Sequence, residues 1–260
     1  MSSVTKVDGR FFGTTGRDEI LYSVAENGSD FQPHHRFGVS EVGRGQLAES
    51  NGRLYGRSSR SGNPDLEVVY STDSTGGDFQ VITEFELVSS FGTDSGLTLV
   101  GDTLFGTARD RLTPDGIIFS VSTSGDNFRV IHEFAEPTMG RWPTGKLEHY
   151  NGRLYGATTI GGFANSGTVF SFGLAEEDFD VLHEFGGFPD DGNRPGAGVT
   201  ISNGILYGTA AEGGNSNRGI VYSLVVPEPS TTFPSLLVIV AGCCFGLDPY
   251  RRSGTQPNVA

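Results

Sequence analysis

The stretch Asn151-Gly152-Arg153-Leu154-Tyr155-Gly156 decides the fold of this chain, because it occurs again, unchanged, at residues 51–56. Related hexads stand at residues 8–13, 101–106 and 203–208, so the closing glycines are 43, 50, 50 and 52 residues apart. A repeat of about fifty residues indicates one supersecondary unit copied along the chain, as in a propeller or a solenoid.

Each repeat predicts four short strands. The first strand runs into the first two residues of the hexad and the second strand leaves them, and Asn-Gly at such a place predicts a type I′ turn with positive φ at both residues. The third repeat has Gly101-Asp102 instead, which also suits a turn. In the fourth strand of the third repeat, alternation predicts Phe128, Val130, His132 and Phe134 on one face and Ile131 on the other.

We therefore predict an all-β fold, a β-propeller of about five blades over residues 4–226, followed by a tail at 227–260 with a short hydrophobic helix. The repeats are expected at 4–40, 41–90, 91–140, 141–190 and 191–226. The fifth repeat stops after its third strand, which leaves one blade thin. A ring closed with this thin blade is the first expectation. A propeller truncated at its N-terminus and an open stack with unpaired edges are the alternatives.

Composition excludes several classes of protein. The net charge of −13 and the pI of 4.7 argue against a nucleic-acid partner, since phosphate binding requires a basic surface. The two cysteines, Cys243 and Cys244, are adjacent, so no disulfide framework is expected in the repeats. Residues 1–9 contain no apolar segment typical of a signal peptide.

Histidines and aromatic residues recur at fixed places in the repeats. His35, His132 and His183 share one position, where the second repeat has Thr83. Three histidines at a common channel could bind a metal ion, but a repeated position is explained by repeated packing, which we expect. Tyr55, Tyr155 and Tyr207, like the single tryptophan, Trp142, could stack on sugars; for the repeated tyrosines we expect packing.

The carboxylates give no catalytic pair. Glu84, Glu133 and Glu184 also share one repeat position and are expected to be structural. Residues 190–193 could contact calcium through oxygen atoms, but they lack the ligand spacing of an EF-hand, so a turn is expected. We therefore predict no catalytic, cofactor-binding or metal-binding residues, and no cofactor.

The repeats resemble the tandem repeats named GloVer. The matching segments in the fourth repeat are residues 152–158, 167–170 and 183–185, and the resemblance covers residues 4–226. It implies a β-propeller-like, surface-associated bacterial protein. The family has no assigned reaction, so the resemblance transfers no catalytic residues.

The tail resembles a PEP-CTERM sorting signal. Its parts are Val226-Pro227-Glu228-Pro229, an apolar run at 233–247, and Arg251-Arg252. Arginines behind an apolar run stay on the cytoplasmic side, although fifteen residues are few for a spanning helix. The resemblance implies transient membrane anchoring through 233–247. It also implies recognition by an exosortase-type membrane protease, cleavage near residues 227–229, and release to the cell surface or the exopolysaccharide matrix.

These features predict a non-enzymatic surface or matrix propeller that binds polysaccharide or protein. An extracellular polysaccharide hydrolase or lyase on the same scaffold is the alternative, and would require unlike carboxylates from different blades to converge. A cytoplasmic scaffold is the third possibility, because the first residues offer no export signal.

Overall fold

The computed structural model describes residues 4–15, 20–38, 41–60, 65–87, 95–109, 113, 115–174, 178–188, 191–214, 216–226 and 238–239. These residues form five antiparallel sheets that follow one another along the chain. The predicted all-β fold is confirmed.

In the first four sheets the strands lie side by side in chain order. The first sheet has β1 (Thr5–Val7), β2 (Arg10–Thr14), β3 (Ile20–Ala25) and β4 (Gln32–Arg36). The second has β5 (Glu41–Ser50), β6 (Arg53–Arg60), β7 (Asp65–Asp73) and β8 (Gln80–Leu87). The third has β9 (Thr98–Val100), β10 (Thr103–Ala108), β11 (Ile117–Ser122) and β12 (Arg129–Glu133). After a 3-10 turn at Pro137–Met139, the fourth has β13 (Arg141–Tyr150), β14 (Arg153–Ile160), β15 (Thr168–Gly173) and β16 (Phe179–Glu184).

The fifth sheet is built differently. Its strands are β17 (Asn193–Pro195), β18 (Thr200–Ser202), β19 (Ile205–Glu212), β20 (Ile220–Val225) and β21 (Val238–Ile239). The short strands β17 and β18 both pair with β19, and together they occupy the place of one first strand.

The hairpin turns have the backbone that the sequence predicts. Asn51, Asn151 and Asn203 have φ of 52°, 48° and 52°, and the glycines that follow them have φ of 75°, 76° and 73°. Positive φ at both residues is the requirement of a type I′ turn. In the third repeat, Gly101 has φ of 58° and Asp102 does not have positive φ, which is the pattern of a type II′ turn.

The predicted alternation along the fourth strand is wrong. The pairing shifts between Ile118 and Phe119, which lie opposite His132 and Val130, so that Ile131 is the extra residue of a β-bulge. The bulge places His132 on the face opposite Val130, and the same shift occurs in the first, second and fourth sheets. Alternation from sequence cannot anticipate one inserted residue.

Each sheet has two different faces. In the fourth sheet Tyr155 and Val169 lie on the face toward the fifth sheet, which we name the front face. Leu147 and Phe170 lie on the face toward the third sheet, the back face. Four buried clusters join the five sheets in succession, front face to back face each time. This is how propeller blades pack.

The first strands of successive sheets approach one another closely. The Thr5 hydroxyl donates to the Leu47 carbonyl oxygen at 2.7 Å, and the Thr98 hydroxyl donates to the Leu147 carbonyl oxygen. At Gly145, with φ of 75°, an added Cβ would lie 2.1 Å from the backbone nitrogen of Gly198. Glycine is therefore required at position 145, where β13 meets the segment between β17 and β18.

Closure of the ring is not observed among the described residues. None of the four clusters joins the fifth sheet to the first. Val4 on the back face of the first sheet is 44% exposed, and Val221 on the front face of the fifth is 50% exposed.

The predicted tail helix lies mostly outside the described residues. Val238–Ile239 are described, and they form a strand rather than a helix, with Ile239 opposite Ser223 and Val238 opposite Leu224 of β20. They take the place of the fourth strand that the fifth repeat lacks. No helix in the described part of the chain is long and apolar enough to cross a membrane.

Candidate functional site

The three repeated histidines lie in separate places between sheets. His35 stacks on Phe79 of the second sheet with ring centroids 3.6 Å apart, and His132 stacks on Phe179 of the fourth sheet at 3.8 Å. His183 instead pairs through Nε2 with the Asp191 carboxylate at 2.8 Å. Burial lowers the pKa of His132 to about 4, so its ring is neutral at physiological pH. His35 and His132 thus pack on a ring of the next sheet, and the three histidines lie between different pairs of sheets.

The repeated tyrosines also serve packing wherever a following sheet covers them. Tyr55 and Tyr155 are buried, whereas Tyr207, on the front face of the fifth sheet, is 38% exposed. The exposure of this repeated tyrosine therefore depends on whether another sheet packs on the front face of its own sheet.

Three aromatic side chains that belong to no repeat position are exposed at one end of the fourth sheet. Trp142, Phe163 and Phe188 are 37%, 94% and 75% exposed. Trp142 lies at the start of β13, Phe163 in the loop between β14 and β15, and Phe188 in the loop after β16. In an antiparallel sheet these three places meet at the same end, and we name the three residues the aromatic rim.

Trp142 is held by contacts to the third sheet. Its backbone has φ of 59°, and its amide donates to the Asp115 carbonyl oxygen at 2.7 Å. The Arg109 guanidinium lies 5.3 Å from the centre of the Trp142 ring, within the range of a cation–π contact. Arg141 and the Asp115 carboxylate form an ion pair at 2.5 Å. The indole is thus fixed in place while part of it stays open to solvent.

The loops of Phe163 and Phe188 are held by hydrogen bonds, the first to the end of β16 and the second within its own turn. The Phe163 amide donates to the Glu184 carboxylate. Asp191 accepts from the Gly187 amide at 3.1 Å, beside its contact to His183. Asp191 therefore shapes the turn that presents Phe188; Asp190, the other acidic residue of the suggested calcium segment, lies outside the described residues. Within the described ranges, no three His, Cys, Asp or Glu side chains are grouped as metal ligands.

A cleft of about 270 Å³ opens beside the third sheet, toward the hairpin end. In the first, second and fourth sheets, an arginine at the third hexad position bridges to an aspartate: Arg10 to Asp30, Arg53 to Asp78, and Arg153 to Asp178. The third repeat has Thr103 and Asn127 at these places, and both residues line the cleft. Loss of the bridging pair leaves this space.

One charged pair breaks the repeat pattern inside the protein. Arg57 and Glu67 form an ion pair in the second sheet, and both side chains are fully buried. Other repeats have Thr107 or Ala157 at the first position and Gly116 or Gly167 at the second. Because solvent cannot reach the pair, a change at either residue should act on the folding of the protein and not on ligand binding.

The predicted sorting residues are largely outside the described part of the chain. Val226 is described, and it is buried in the cluster between the fourth and fifth sheets. Pro227, Glu228, Pro229, Arg251 and Arg252 lie outside the described residues.

Sequence reasoning singled out Trp142 but missed the other two members of the aromatic rim. Phe163 stands in a glycine-rich loop and Phe188 in a turn, where apolar residues have no packing role to explain them. A comparison of each aromatic residue with the repeat positions would have found both.

The fold is shared with several solved propeller structures of low identity. A chain of a nidogen–laminin complex matches with a TM-score of 0.56 and 15% identity, over 85% of this chain and 73% of that one. An oligogalacturonate lyase in complex with manganese matches with a TM-score of 0.55 and 14% identity, over 84% of this chain and 59% of that one. BamB from Moraxella catarrhalis matches with a TM-score of 0.54 and 16% identity, over 86% of this chain and 57% of that one. At these identities the likeness concerns the fold alone.

A search of the curated proteins finds no match to the chain. The family model described as the Gloeobacter/Verrucomicrobia repeat matches residues 43–237. This is most of the chain and includes the hexads of the second to fifth repeats, as the resemblance to GloVer repeats predicted. The chain therefore belongs to the Gloeobacter/Verrucomicrobia repeat family.

Proposed function

We propose that this protein is a non-enzymatic propeller of about five blades that binds polysaccharide at the bacterial surface or in the extracellular matrix. The single observation that supports binding is the aromatic rim, in which Phe163 and Phe188 are 94% and 75% exposed. Exposing such side chains contributes nothing to folding, whereas aromatic rings on loops of a rigid scaffold suit a ligand.

Polysaccharide fits this rim better than a protein partner does. Three aromatic side chains could bury roughly 450–750 Å² in all, at about 150–250 Å² each. A standard protein interface buries about 800 Å² on each side, with a contiguous apolar centre. The rim instead consists of three separate rings beside polar groups, such as the Arg109 guanidinium and the Glu184 carboxylate. Flat sugar faces flanked by hydroxyl groups match that pattern.

The binding test uses the full chain and a panel of bacterial exopolysaccharides. Affinity electrophoresis in gels that contain each polysaccharide measures retardation of the folded protein. We expect Trp142→Ala, Phe163→Ala and Phe188→Ala together to abolish retardation. The control variant Val81→Ala, at an apolar residue of β8 that is 52% exposed and lies outside the rim, should retain it. Retardation that is unchanged in the triple variant refutes the role of the rim.

The alternative, a polysaccharide hydrolase or lyase, is separated from binding by its products. Likeness to the oligogalacturonate lyase motivates the comparison, although at 14% identity it supports only the shared fold. Any polysaccharide that binds is incubated with the protein and assayed for new chain ends. New chain ends that appear with this protein, and disappear in a variant of the responsible acidic residue, would show that it is an enzyme and not only a binding protein.

The surface location rests on the tail, which we propose acts as a PEP-CTERM signal for an exosortase-type protease. The test is intact mass and fractionation of the native protein from its host. A mature species that ends near Pro227–Pro229 in the envelope or medium supports sorting. A full-length species in the cytoplasm excludes it and leaves a scaffold role.

A further inference from the structure

The first and fifth sheets, at the two ends of the series, each present a face whose central positions are buried in the other sheets. At one position of the third strand, the front faces of the successive sheets have Leu21, Val69, Ile118, Val169 and Val221. The first four are 0% exposed, and Val221 is 50% exposed. The fifth sheet thus has the residues of a contact surface without a sheet against it.

The front face of the fifth sheet is also more apolar than the others at its second strand. The third hexad position is Arg10, Arg53 or Arg153 in three of the sheets, and Ile205 in the fifth. Beside it, Tyr207 and Val225 are 38% and 50% exposed. We name Ile205, Tyr207, Val221 and Val225 the front terminal face.

The first sheet presents the complementary surface. Val4 and Phe31 are 44% and 55% exposed, and Tyr22 stacks on Phe31 with ring centroids 5.3 Å apart. Inside the array, the equivalent stack of Phe170 on Phe179, also at 5.3 Å, is covered by the third sheet. We name Val4, Tyr22 and Phe31 the back terminal face.

We propose that the front terminal face of one copy of this chain packs against the back terminal face of a second copy. The contact would continue, between molecules, the front-to-back packing that joins the sheets four times within one molecule. Because the two faces differ, each copy uses both of them. Association is then head to tail, and it either closes into a ring of copies or extends as an open chain.

The charges of the protein set the conditions for this association. None of the seven residues in the two terminal faces is charged, whereas the whole chain has a net charge of −13. Copies therefore repel one another at long range, and salt screens the repulsion without weakening the apolar contact. We expect association to strengthen as the salt concentration rises.

The first test is sedimentation of the full chain over a range of concentrations and salt. The unchanged protein should shift from monomer to larger species, more so at high salt. Val221→Asp should weaken association at least about tenfold, because it places a charge in the contact. Val81→Asp is the matched control, since Val81 is 52% exposed on β8, outside both terminal faces, and it should associate normally. Association that persists in Val221→Asp, as aggregation through the tail would give, overturns the proposal, and so does a monomer at all concentrations.

The second test distinguishes a second copy from closure within one chain. Val4→Cys and Val221→Cys are introduced together in a Cys243→Ser, Cys244→Ser background and oxidised. Disulfide-linked dimers and longer species support the proposal, and a mixture of the two single-cysteine proteins should give the mixed dimer. A monomer with an internal disulfide would show that the first and fifth sheets close on each other, which overturns the proposal, as does the absence of any disulfide.

Discussion

The buried pair of Arg57 and Glu67 allows a quantitative prediction about stability. Both side chains are 0% exposed. The Arg57 Nη1 group donates to the Ser95 hydroxyl at 2.7 Å and to the Ser95 carbonyl oxygen at 3.1 Å. Within the described residues, Arg57 Nη2 and Glu67 Oε2 have no hydrogen-bond partner. Burial raises the pKa of Glu67, so the pair compensates its own desolvation incompletely.

The change to make is Glu67→Leu, alone and combined with Arg57→Met. The single change leaves a buried guanidinium that still donates to Ser95 and lies 5.6 Å from the centre of the Phe119 ring, but has lost its carboxylate. It should lower the free energy of unfolding by about 3–5 kcal/mol. At about 2–4 °C per kcal/mol, the melting temperature should fall by roughly 6–20 °C. The double variant removes both charges and keeps similar side-chain volumes. Its free energy of unfolding should therefore equal that of the parent or exceed it by up to about 4 kcal/mol.

Urea and thermal unfolding of the two variants and the parent test this reasoning. The control is Glu26→Leu, which breaks the exposed Lys6–Glu26 pair, whose side chains are 54% and 56% exposed. It should change stability by less than about 1 kcal/mol. If Glu67→Leu costs no more than this control, or if the double variant is as unstable as the single one, the isolated buried charge is not the reason for the loss.

Three further predictions concern packing, backbone and pH. Phe179→Ala removes the ring that lies 3.8 Å from His132, and should lower the free energy of unfolding, measured with urea on dilute protein, by about 2–4 kcal/mol. Phe31→Ala, at the same repeat position but 55% exposed, should lower it by less than about 1 kcal/mol. Gly145→Ala and Gly9→Ala each place a Cβ at a residue with positive φ, 75° at Gly145 and 76° at Gly9. Only the Cβ at position 145 would meet backbone atoms, so the melting temperature should fall at least twice as far for Gly145→Ala as for Gly9→Ala. His132 has a pKa of about 4 when folded, and the unfolded ring takes up its proton near pH 6.5, so stability should fall as the pH drops from about 6.5 to 4. A pH series of melting temperatures should be flatter for His132→Gln; an equal slope would exclude this ring as a source of the loss.

The repeat made the sheets predictable and left their mutual arrangement open. The Asn-Gly pairs specify turns that few other residues tolerate, so the hairpins at residues 51–52, 151–152 and 203–204 follow from local chemistry. The bulge at Ile131 does not, because no residue type is required there and the strand reads as regular alternation. Ring closure likewise depends on the angle between sheets, which no local pattern encodes.

The candidate site was less predictable than the fold. The position of the histidines in the repeat correctly indicated packing, because His35 and His132 meet the same kind of ring in the next sheet. The aromatic rim depends on residues outside the repeat, and only the structure brings Phe163 and Phe188 to the end of the sheet where Trp142 lies. Burial of Arg57 and Glu67 also required the structure, since charged residues are ordinarily expected at the surface.

The two unlike faces of each sheet have a consequence for how such chains can evolve. A duplicated gene segment that encodes one sheet enters the array with a front and a back that already match its neighbours, wherever the duplication falls. Lengthening therefore needs no compensating substitutions at the junction, and loss of one unit leaves two matching neighbours. The hexads at 51–56 and 151–156 are identical, whereas those at 8–13 and 101–106 have diverged, and unequal ages of such copies would leave this pattern.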